Sequence, residues 1–177
     1  MTIPEIDNCL NRMTILYDTR EQVTAMLRKR LAEMPCETRR EKLDSGDYSA
    51  ETVLPDGTIY SLKAKFAIER KMSLGEICGN FCRGRERFRR EFRRFRDGGG
   101  KLCIVIENAT IDGLRSHRYN SQMSPSALMA SLSAWYAEFD SPFYFCDKKD
   151  SGYLIYHILK YQLREHLKRE FGQNAKE

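Results

Sequence analysis

The sequence lacks any apolar run that approaches the roughly 18 residues of a membrane-spanning helix. Its first residues also lack the basic segment followed by an apolar segment that marks a secretory signal, so we expect neither a leader nor a membrane contact. Internal repeats, linkers and low-complexity tracts are absent as well. Hydrophobic residues at 41% and charged residues at 31% favour a soluble globular protein instead.

Cysteine and histidine pairs at zinc-binding spacing are also missing. Cys78 and Cys82 share one face of a predicted helix, but no second pair accompanies them, so we do not expect a zinc site. The six cysteines lie mostly in apolar stretches. Because there is no secretory signal, we interpret them as reduced thiols of a cytosolic protein.

The alternation of strand-like and helix-like segments predicts one α/β domain, because 177 residues suffice for a single core and are few for two. We place this domain at residues 13–171, after a loose lead-in at residues 1–12 and before a frayed tail at residues 172–177. Its strongest strand is Lys101–Ile106, a continuous apolar run that is typical of a strand buried on both faces.

Two predicted helices bear on the candidate site. Apolar residues at helical spacing predict one helix from Gln22 to Glu33, with Val23 and Met26 on its buried face. A longer helix is predicted over residues 74–97, and Gly84 marks a possible break in it. The buried stripe of the longer helix consists of Phe88, Phe92 and Phe95.

Basic charge is concentrated in one stretch. Between Arg83 and Arg96 there are eight arginines and two glutamates, although the net charge of the whole chain is only +5. A solvated helix face is the general interpretation of such a stretch. Arginine binds phosphate oxygens in pairs, however, and we therefore interpret this stretch as a surface that contacts a nucleic-acid backbone.

The stretch Phe66–Lys71 predicts a short strand that ends in a carboxylate, a guanidinium and an amine. Strand alternation places Glu69 and Lys71 on one side of the sheet and Arg70 on the other. Asp47 offers a second carboxylate at the start of another strand-like run. Two carboxylates beside a lysine can hold a divalent cation and orient an attacking water, which is the PD-(D/E)xK nuclease pattern with glycine in place of proline.

Asp18 and Glu21 allow two interpretations. An acid at the N-cap and another three residues later form a capping box, which would open the helix from Gln22 to Glu33. Alternatively, both acids belong to the site around Asp47 and Glu69. Spacing alone favours the capping box.

Five short motifs occur in one order along residues 13–165. They are Asp18-Thr19-Arg20-Glu21, Gly46-Asp47-Tyr48, Glu69-Arg70-Lys71, Gly84-Arg85 and Ile106-Glu107. This order resembles the nuclease domain of the XPF-type structure-specific DNA endonucleases. The resemblance implies a restriction-endonuclease-like fold, in which α-helices flank a mixed β-sheet in three α/β/α layers. It also implies that Asp18 and Glu21 belong to the active site.

The resemblance further implies a DNA endonuclease that depends on Mg²⁺ or Mn²⁺ and cuts branched or flap DNA in repair or recombination. Asp47, Glu69 and Asp18 would ligate the ion, Glu21 would complete the site, and Lys71 would orient or deprotonate the attacking water. Glu76 and Glu107 are further candidate acids. The arginines expected to contact the DNA backbone are Arg20, Arg70, Arg83, Arg85, Arg87 and Arg89.

Other functions stay open at this level. One alternative is a DNA-binding module or partner subunit of the same fold without catalysis, and another is a junction resolvase or a restriction-type nuclease. By analogy we expect a homodimer or a partner subunit. We expect the protein in the cytoplasm, on the nucleoid in a bacterium or phage, and in the nucleus in a eukaryote.

Overall fold

The computed structural model describes residues 1–172, so most of the predicted tail, residues 173–177, lies outside the described residues. Within this range the chain forms one mixed sheet of seven strands. The strands are β1 (Thr14–Tyr17), β2 (Glu37–Arg40), β3 (Tyr48–Val53), β4 (Ile59–Ser61), β5 (Phe66–Lys71), β6 (Lys101–Glu107) and β7 (Phe143–Cys146).

The strand order is β2-β1-β3-β5-β6-β7, and β4 pairs with β3 as a hairpin. β3 is antiparallel to both β1 and β5, whereas β1 is parallel to β2, and β5, β6 and β7 are parallel to one another. The C-terminal ends of β1, β5 and β6 therefore lie at the same edge of the sheet as the start of β3. This edge brings together Asp18, Asp47, Lys71 and Glu107.

Helices cover both faces of the sheet. The helices are α1 (Ile3–Asn11), α2 (Ala25–Ala32), α3 (Leu74–Phe81), α4 (Arg85–Asp97), α5 (Ile111–Arg115), α6 (Pro125–Phe139) and α7 (Ser151–Phe171), and a 3₁₀ turn spans Lys148–Asp150. One core lies between the sheet and α1, α2 and α7, and a second lies between the sheet and α3 to α6. The predicted three-layer α/β/α arrangement is confirmed. No helix within residues 1–172 is long and apolar enough to cross a membrane.

Alternation along the central strands assigns side chains to the two cores. On β5, Phe66 and Ile68 enter the core of α1, α2 and α7, whereas Ala67 enters the core of α3 to α6. β6 follows the same rule, with Val105 in the first core and Ile104 in the second. The prediction of a strand buried on both faces is confirmed for β6. The same alternation continues into the charged end of β5.

The N-terminal segment differs from the prediction, because residues 1–12 are not a loose lead-in. Ile3–Asn11 is a helix, and its start carries a complete capping box in which Thr2 and Glu5 bond to each other's backbone N–H. Proline in the first turn also suits a helix start. The helix packs against α7 and buries Ile6, Cys9 and Leu10.

The helix predicted from Gln22 begins three residues later, at Ala25. Its N-cap is Thr24, whose side chain accepts a hydrogen bond from the backbone N–H of Leu27. Val23 and Met26 are 54% and 37% exposed, so they are not core residues. Asp18 does not cap this helix because its carboxylate is engaged elsewhere, as described below.

The helix predicted over residues 74–97 is divided into α3 and α4 at the glycine that the sequence marks as a possible break. The backbone N–H of Gly84 donates to the carbonyl of Gly79, and α4 begins at Arg85. The predicted stripe of α4 is confirmed, because its buried side chains are Phe88, Phe92 and Phe95. This stripe fixes which of the arginines on α4 can reach the sheet edge.

Candidate active site

Asp47 is fixed to its neighbouring strands by its own backbone and side chain. Its N–H donates to the carbonyl of Ile68 at 2.7 Å, and its carbonyl accepts from the N–H of Asp18 at 2.8 Å. One carboxylate oxygen, Oδ2, accepts from the backbone N–H of Arg70 at 2.7 Å. The second oxygen of this half-buried carboxylate is thereby held at the C-terminal end of β5.

Gly46 makes this approach possible. It has a φ of +73°, in the region that favours glycine. A Cβ at this position would lie 2.9 Å from Ala67 Cβ and 3.0 Å from the carbonyl oxygen of Ile68. Any other residue would therefore push the turn, and Asp47 with it, away from β5.

Glu69 and Lys71 lie on the face of the sheet that α3 and α4 cover, as predicted from strand alternation. Lys71 Nζ donates to Glu69 Oε1 at 2.6 Å, and it lies 5.1 Å from the centre of the Phe88 ring. Burial alone would lower the pKa of Lys71, but the neighbouring carboxylate of Glu69 raises it above its ordinary value. The amine is therefore a firmly charged ammonium at neutral pH.

Burial and neighbouring carboxylates raise the pKa values of both Asp47 and Glu69. Burial raises the pKa of Asp47 well above its ordinary value, and the nearby charge of Glu69 raises it further. Burial also raises the pKa of Glu69, although the ammonium of Lys71 offsets part of that effect. Two partly desolvated acids that repel each other form a site at which a cation would be stabilised.

An open cleft of about 760 Å³ leads to this pair of acids. Its lining consists of Arg20, Asp47, Glu69, Arg87, Arg90, Glu91 and Arg94. A second depression adjoins it at Arg87 and includes Lys71, Glu76 and Arg83. A negatively charged backbone that entered this cleft would meet arginines on both sides of the two acids.

Arg70 was predicted to contact a phosphate of the DNA backbone. In the structure its side chain lies on the other face of the sheet from Glu69 and Lys71, away from the cleft. Its guanidinium is 3.3 Å from Glu21 Oε1 and 3.1 Å from Glu107 Oε2, and its side chain is only 12% exposed. Arg30 of α2 joins the same cluster, at 2.7 Å from Glu107 and 3.7 Å from Glu21. Arg70 and Glu21 therefore belong to a buried network of alternating charges behind the cleft.

Asp18, which was predicted to ligate a metal, adjoins Asp47, because its backbone N–H donates to the carbonyl of Asp47 at 2.8 Å, but its side chain does not line the cleft. Its carboxylate is fully buried and accepts hydrogen bonds from the backbone N–H and Nε of Arg20 and from the backbone N–H of Leu43. Burial would raise the pKa of Asp18, but these hydrogen bonds outweigh it and lower the pKa. Asp18 thus positions Arg20, whose side chain is 62% exposed and lines the cleft.

The two remaining candidate acids occupy different places. Glu107 is fully buried in the network with Arg30 and Arg70, so it does not face the cleft. Glu76 lies 3.8 Å from Lys71 and accepts a hydrogen bond from the backbone N–H of Met72. Of these two acids, only Glu76 lies next to the cleft.

The arginines of α4 divide between two surfaces. Those of the first set, Arg87, Arg90 and Arg94, line the cleft. Arg85 and Arg89, which were predicted to contact DNA, instead lie over the ring of Trp135 on the far side of the helix, and Arg89 donates to Glu138 at 2.7 Å. Arg90 and Arg94 were predicted to contact the backbone only as part of the stretch from Arg83 to Arg96, although their spacing from Arg87 places all three on one helical face.

Within residues 1–172, no group of three or more acidic, histidine or cysteine side chains is arranged to hold a metal ion. Asp47 and Glu69 thus provide two carboxylates rather than a complete protein cage. This number suits Mg²⁺, which keeps several waters and is often held by one or two carboxylates together with phosphate oxygens of the substrate.

Comparisons with known proteins identify the family and the fold of this chain. The model of the ERCC4 domain family matches residues 17–158. No curated protein sequence matches the chain significantly. The structure of XPF from Aeropyrum pernix matches with a TM-score of 0.61 at 16% identity, over 85% of this chain and 65% of that one. The structure of XPF from Aeropyrum pernix in complex with DNA matches with a TM-score of 0.59 at 16% identity, over 93% of this chain and 70% of that one.

The chain therefore spans just under two thirds of the length of the first of these structures. At this level of identity the structural likeness establishes the fold alone, whereas the family model covers most of the chain and all five sequence motifs. Family and fold together support a nuclease or DNA-binding role in general. The chain belongs to the ERCC4 domain family and has the fold of an XPF-type nuclease domain.

Proposed function

We propose that the protein is a DNA endonuclease that uses Mg²⁺ or Mn²⁺ to hydrolyse phosphodiester bonds in branched or flap DNA. The observation that carries this proposal is the arrangement of Asp47, Glu69 and Lys71 at the base of an arginine-lined cleft. The ion, when bound, would supply Lewis acidity towards the phosphate and a water of lowered pKa.

The residues of the chain divide the remaining work. Asp47 and Glu69 would hold the ion, because they lie in the cleft where β3 begins and β5 ends, whereas Glu91, the third carboxylate of the lining, lies on α4. Lys71 would donate hydrogen bonds to the attacking water and to the phosphate oxygens as negative charge develops on them. Its raised pKa favours this role over that of a general base, because a charged ammonium has no lone pair with which to accept a proton.

The cleft arginines would bind the phosphates on either side of the scissile bond. Arg20, Arg87 and Arg90 are exposed, and all three line the cleft. Contacts to phosphates carry no sequence information, so these arginines would fix the position of the backbone without selecting a sequence. This arrangement supports recognition of DNA structure rather than of DNA sequence.

A second candidate function is a DNA-binding module of the same fold without catalysis. The observation that favours it is the limited ligand set, because Asp18 and Glu21, the other predicted acids, are engaged in hydrogen bonds and ion pairs away from the cleft.

A homodimer or a partner subunit is also part of our proposal. Sedimentation at tens of micromolar, where weak homodimers form, tests it.

The deciding experiment is a cleavage assay with Mg²⁺ or Mn²⁺ on flap, fork, Holliday-junction and linear DNA of matched sequence. Asp47→Asn removes one metal carboxylate, and Asp44→Asn is the matched control, because Asp44 lies in the same loop but is exposed and outside this cleft. We expect structure-selective cleavage that Asp47→Asn loses and Asp44→Asn retains. Binding without cleavage under both metals would favour the module without catalysis.

A further inference from the structure

The outer surface of α7 carries a ladder of three aromatic rings. Tyr153, His157 and Tyr161 follow one another at intervals of four residues, so they lie on the same side of the helix. Their ring centres are 4.3 Å and 6.4 Å apart. Tyr153 is 64% exposed and Tyr161 is 56% exposed. The ladder is separate from the apolar side of α7, which packs on the sheet through Ile155, Leu159, Leu163 and Leu167.

Basic side chains accompany the ladder. Between Lys148 and Arg169 there are six basic residues and two acidic ones. Lys160 and Arg164 lie three residues after His157 and Tyr161, respectively, and so flank the ladder along the helix. Lys160 Nζ lies 5.6 Å from the centre of the neighbouring Tyr156 ring. Glu165 pairs with Arg164 at 3.3 Å and with Lys168 at 3.2 Å, so it neutralises part of this charge but not all of it.

One more basic residue lies close to the start of α7. Lys148, in the turn that leads into α7, lines a depression of about 390 Å³ at the N-terminal end of α2. Arg20 lines both this depression and the active-site cleft. A phosphate backbone leaving the cleft past Arg20 would therefore meet Lys148, which lies in the turn that precedes α7.

We propose that the aromatic ladder of α7 is a binding site for single-stranded DNA. Exposed rings bind unpaired bases by stacking, and interleaved cations bind the phosphates of the same strand. A duplex does not offer its base faces to such rings. From Tyr153 to Tyr161 the helix rises about 12 Å, enough for roughly three or four stacked nucleotides. This inference rests on the proposed function, in which the site would hold the unpaired arm of a branched substrate.

The chemistry of this surface favours a nucleic acid over a protein. The large hydrophobic residues that α7 exposes are the two tyrosines of the ladder. The neighbouring aliphatic side chains, Leu154 and Ile158, are half-buried and pack against the core. An apolar protein interface would need more exposed aliphatic area than this face provides.

The test measures the binding of fluorescein-labelled oligo(dT) of roughly 12 nucleotides by anisotropy, in EDTA so that no cleavage occurs. The variant is Tyr153→Ala with Tyr161→Ala, which suits a helix because alanine is its best former. The matched control is Tyr136→Ala with Tyr144→Ala, two other exposed tyrosines on α6 and β7. The replacement of both ladder tyrosines by tryptophan preserves stacking and serves as a rescue.

We expect the alanine variant to lose at least about fivefold in affinity for oligo(dT), which is the lower limit for the loss of one base–aromatic stack. The control and the tryptophan variant should bind as wild type does, and the affinity for linear duplex should change less than twofold in all of them. Equal binding by wild type and the alanine variant, or an equal loss in the control, would overturn the proposal. If wild type formed a dimer and the alanine variant did not, while both bound oligo(dT) equally, the face would serve self-association instead.

The outcome is independent of whether the protein cleaves DNA. Loss of oligo(dT) binding in the alanine variant would support the ladder even if no substrate were cut. Cleavage of branched DNA by wild type, with unchanged oligo(dT) binding by the variant, would refute the ladder and leave the proposed nuclease intact.

Discussion

Arg30 Nη2 lies 2.7 Å from Glu107 Oε1, although the two residues are 77 positions apart and neither side chain is more than 4% exposed. The same guanidinium donates to the hydroxyls of Tyr48 and Ser151 at 3.1 Å and 3.0 Å. One side chain of α2 therefore joins the ends of β3 and β6 and the start of α7. These are the elements that support the candidate active site from behind.

Arg30→Met should lower the free energy of unfolding by about 3–5 kcal/mol, because it leaves the buried carboxylate of Glu107 with only Arg70 as a charged partner. Urea denaturation followed by circular dichroism measures the change. The control is Arg28→Met on the exposed side of the same helix, which should change stability by less than about 0.5 kcal/mol. Equal effects of the two substitutions would show that the buried network does not contribute to stability.

Lys71→Ala should reduce the rate of DNA cleavage on the order of 10²- to 10³-fold, because it removes the donor that faces the developing charge on the phosphate. The dissociation constant for DNA should stay nearly unchanged, because the cleft arginines remain. Single-turnover cleavage and anisotropy measure the two quantities separately. Lys29→Ala, an exposed lysine of α2, serves as the control. Cleavage at the wild-type rate by Lys71→Ala would exclude the assigned role.

Asp47→Asn should stabilise the metal-free protein, because it removes the charge that burial and Glu69 disfavour. A carboxyl with a raised folded pKa contributes stability at low pH that is lost as the pH rises through that pKa. The advantage of the variant should therefore grow as the pH rises from about 4, the unfolded pKa of aspartate, towards neutral. Thermal melts across this range measure it.

The same substitution should abolish stabilisation by Mg²⁺. For wild type, an ion at a hundred times its dissociation constant adds about 2.7 kcal/mol. Asp44→Asn should melt as wild type does with and without the ion. If Mg²⁺ stabilised Asp47→Asn as much as it stabilises wild type, the metal site would lie elsewhere.

Arg87→Ala and Arg90→Ala should each weaken binding to linear duplex DNA. In a plot of the logarithm of the affinity against the logarithm of the salt concentration, each should reduce the size of the slope by about 0.9, the value for one phosphate contact. Arg89→Ala should leave that slope unchanged, because its guanidinium pairs with Glu138 over the ring of Trp135. Titrations at several salt concentrations distinguish the two classes. A slope reduced by Arg89→Ala alone would mean that the wrong face of α4 has been assigned.

Gly46→Ala should destabilise the fold by about 1–3 kcal/mol and impair cleavage, because a methyl group there meets β5 and displaces Asp47. Gly57→Ala is a matched control, because Gly57 also has a positive φ, of +85°, but a Cβ there would have no neighbour within 4 Å. The difference between the two variants isolates the contact with β5 from backbone strain. Denaturation and cleavage assays should rank Gly46→Ala as the more damaging in both respects.

Strand periodicity sufficed to predict the arrangement at the end of β5. Glu69 and Lys71 lie on one face and Arg70 on the other, because side chains alternate strictly along a strand. The helix at Ile3–Asn11 could also have been predicted from the sequence, since Thr2 and Glu5 have capping-box spacing with a proline in the first turn. The prediction overlooked that local signal.

The partners of the buried charges could not be read from the sequence. Arg70 faces Glu21 and Glu107 only because the sheet order places β1, β5 and β6 with their ends at one edge. The role of Asp18 depends in the same way on the loop that carries Leu43. Local spacing gave two interpretations for Asp18 and Glu21. The capping box is absent, and both residues lie beside Asp47 without their carboxylates lining the cleft.

Because side chains alternate along β5, its two faces carry residues with different roles, one proposed for catalysis and one for stability. If the proposed function holds, changes to Glu69 or Lys71 on one side would affect the chemistry, whereas changes to Arg70 or its partners on the other side would affect folding. Substitutions in α2 that keep the buried charges paired would therefore leave the proposed reacting groups untouched. A single inserted residue in β5 would exchange the two sides and forfeit both properties together.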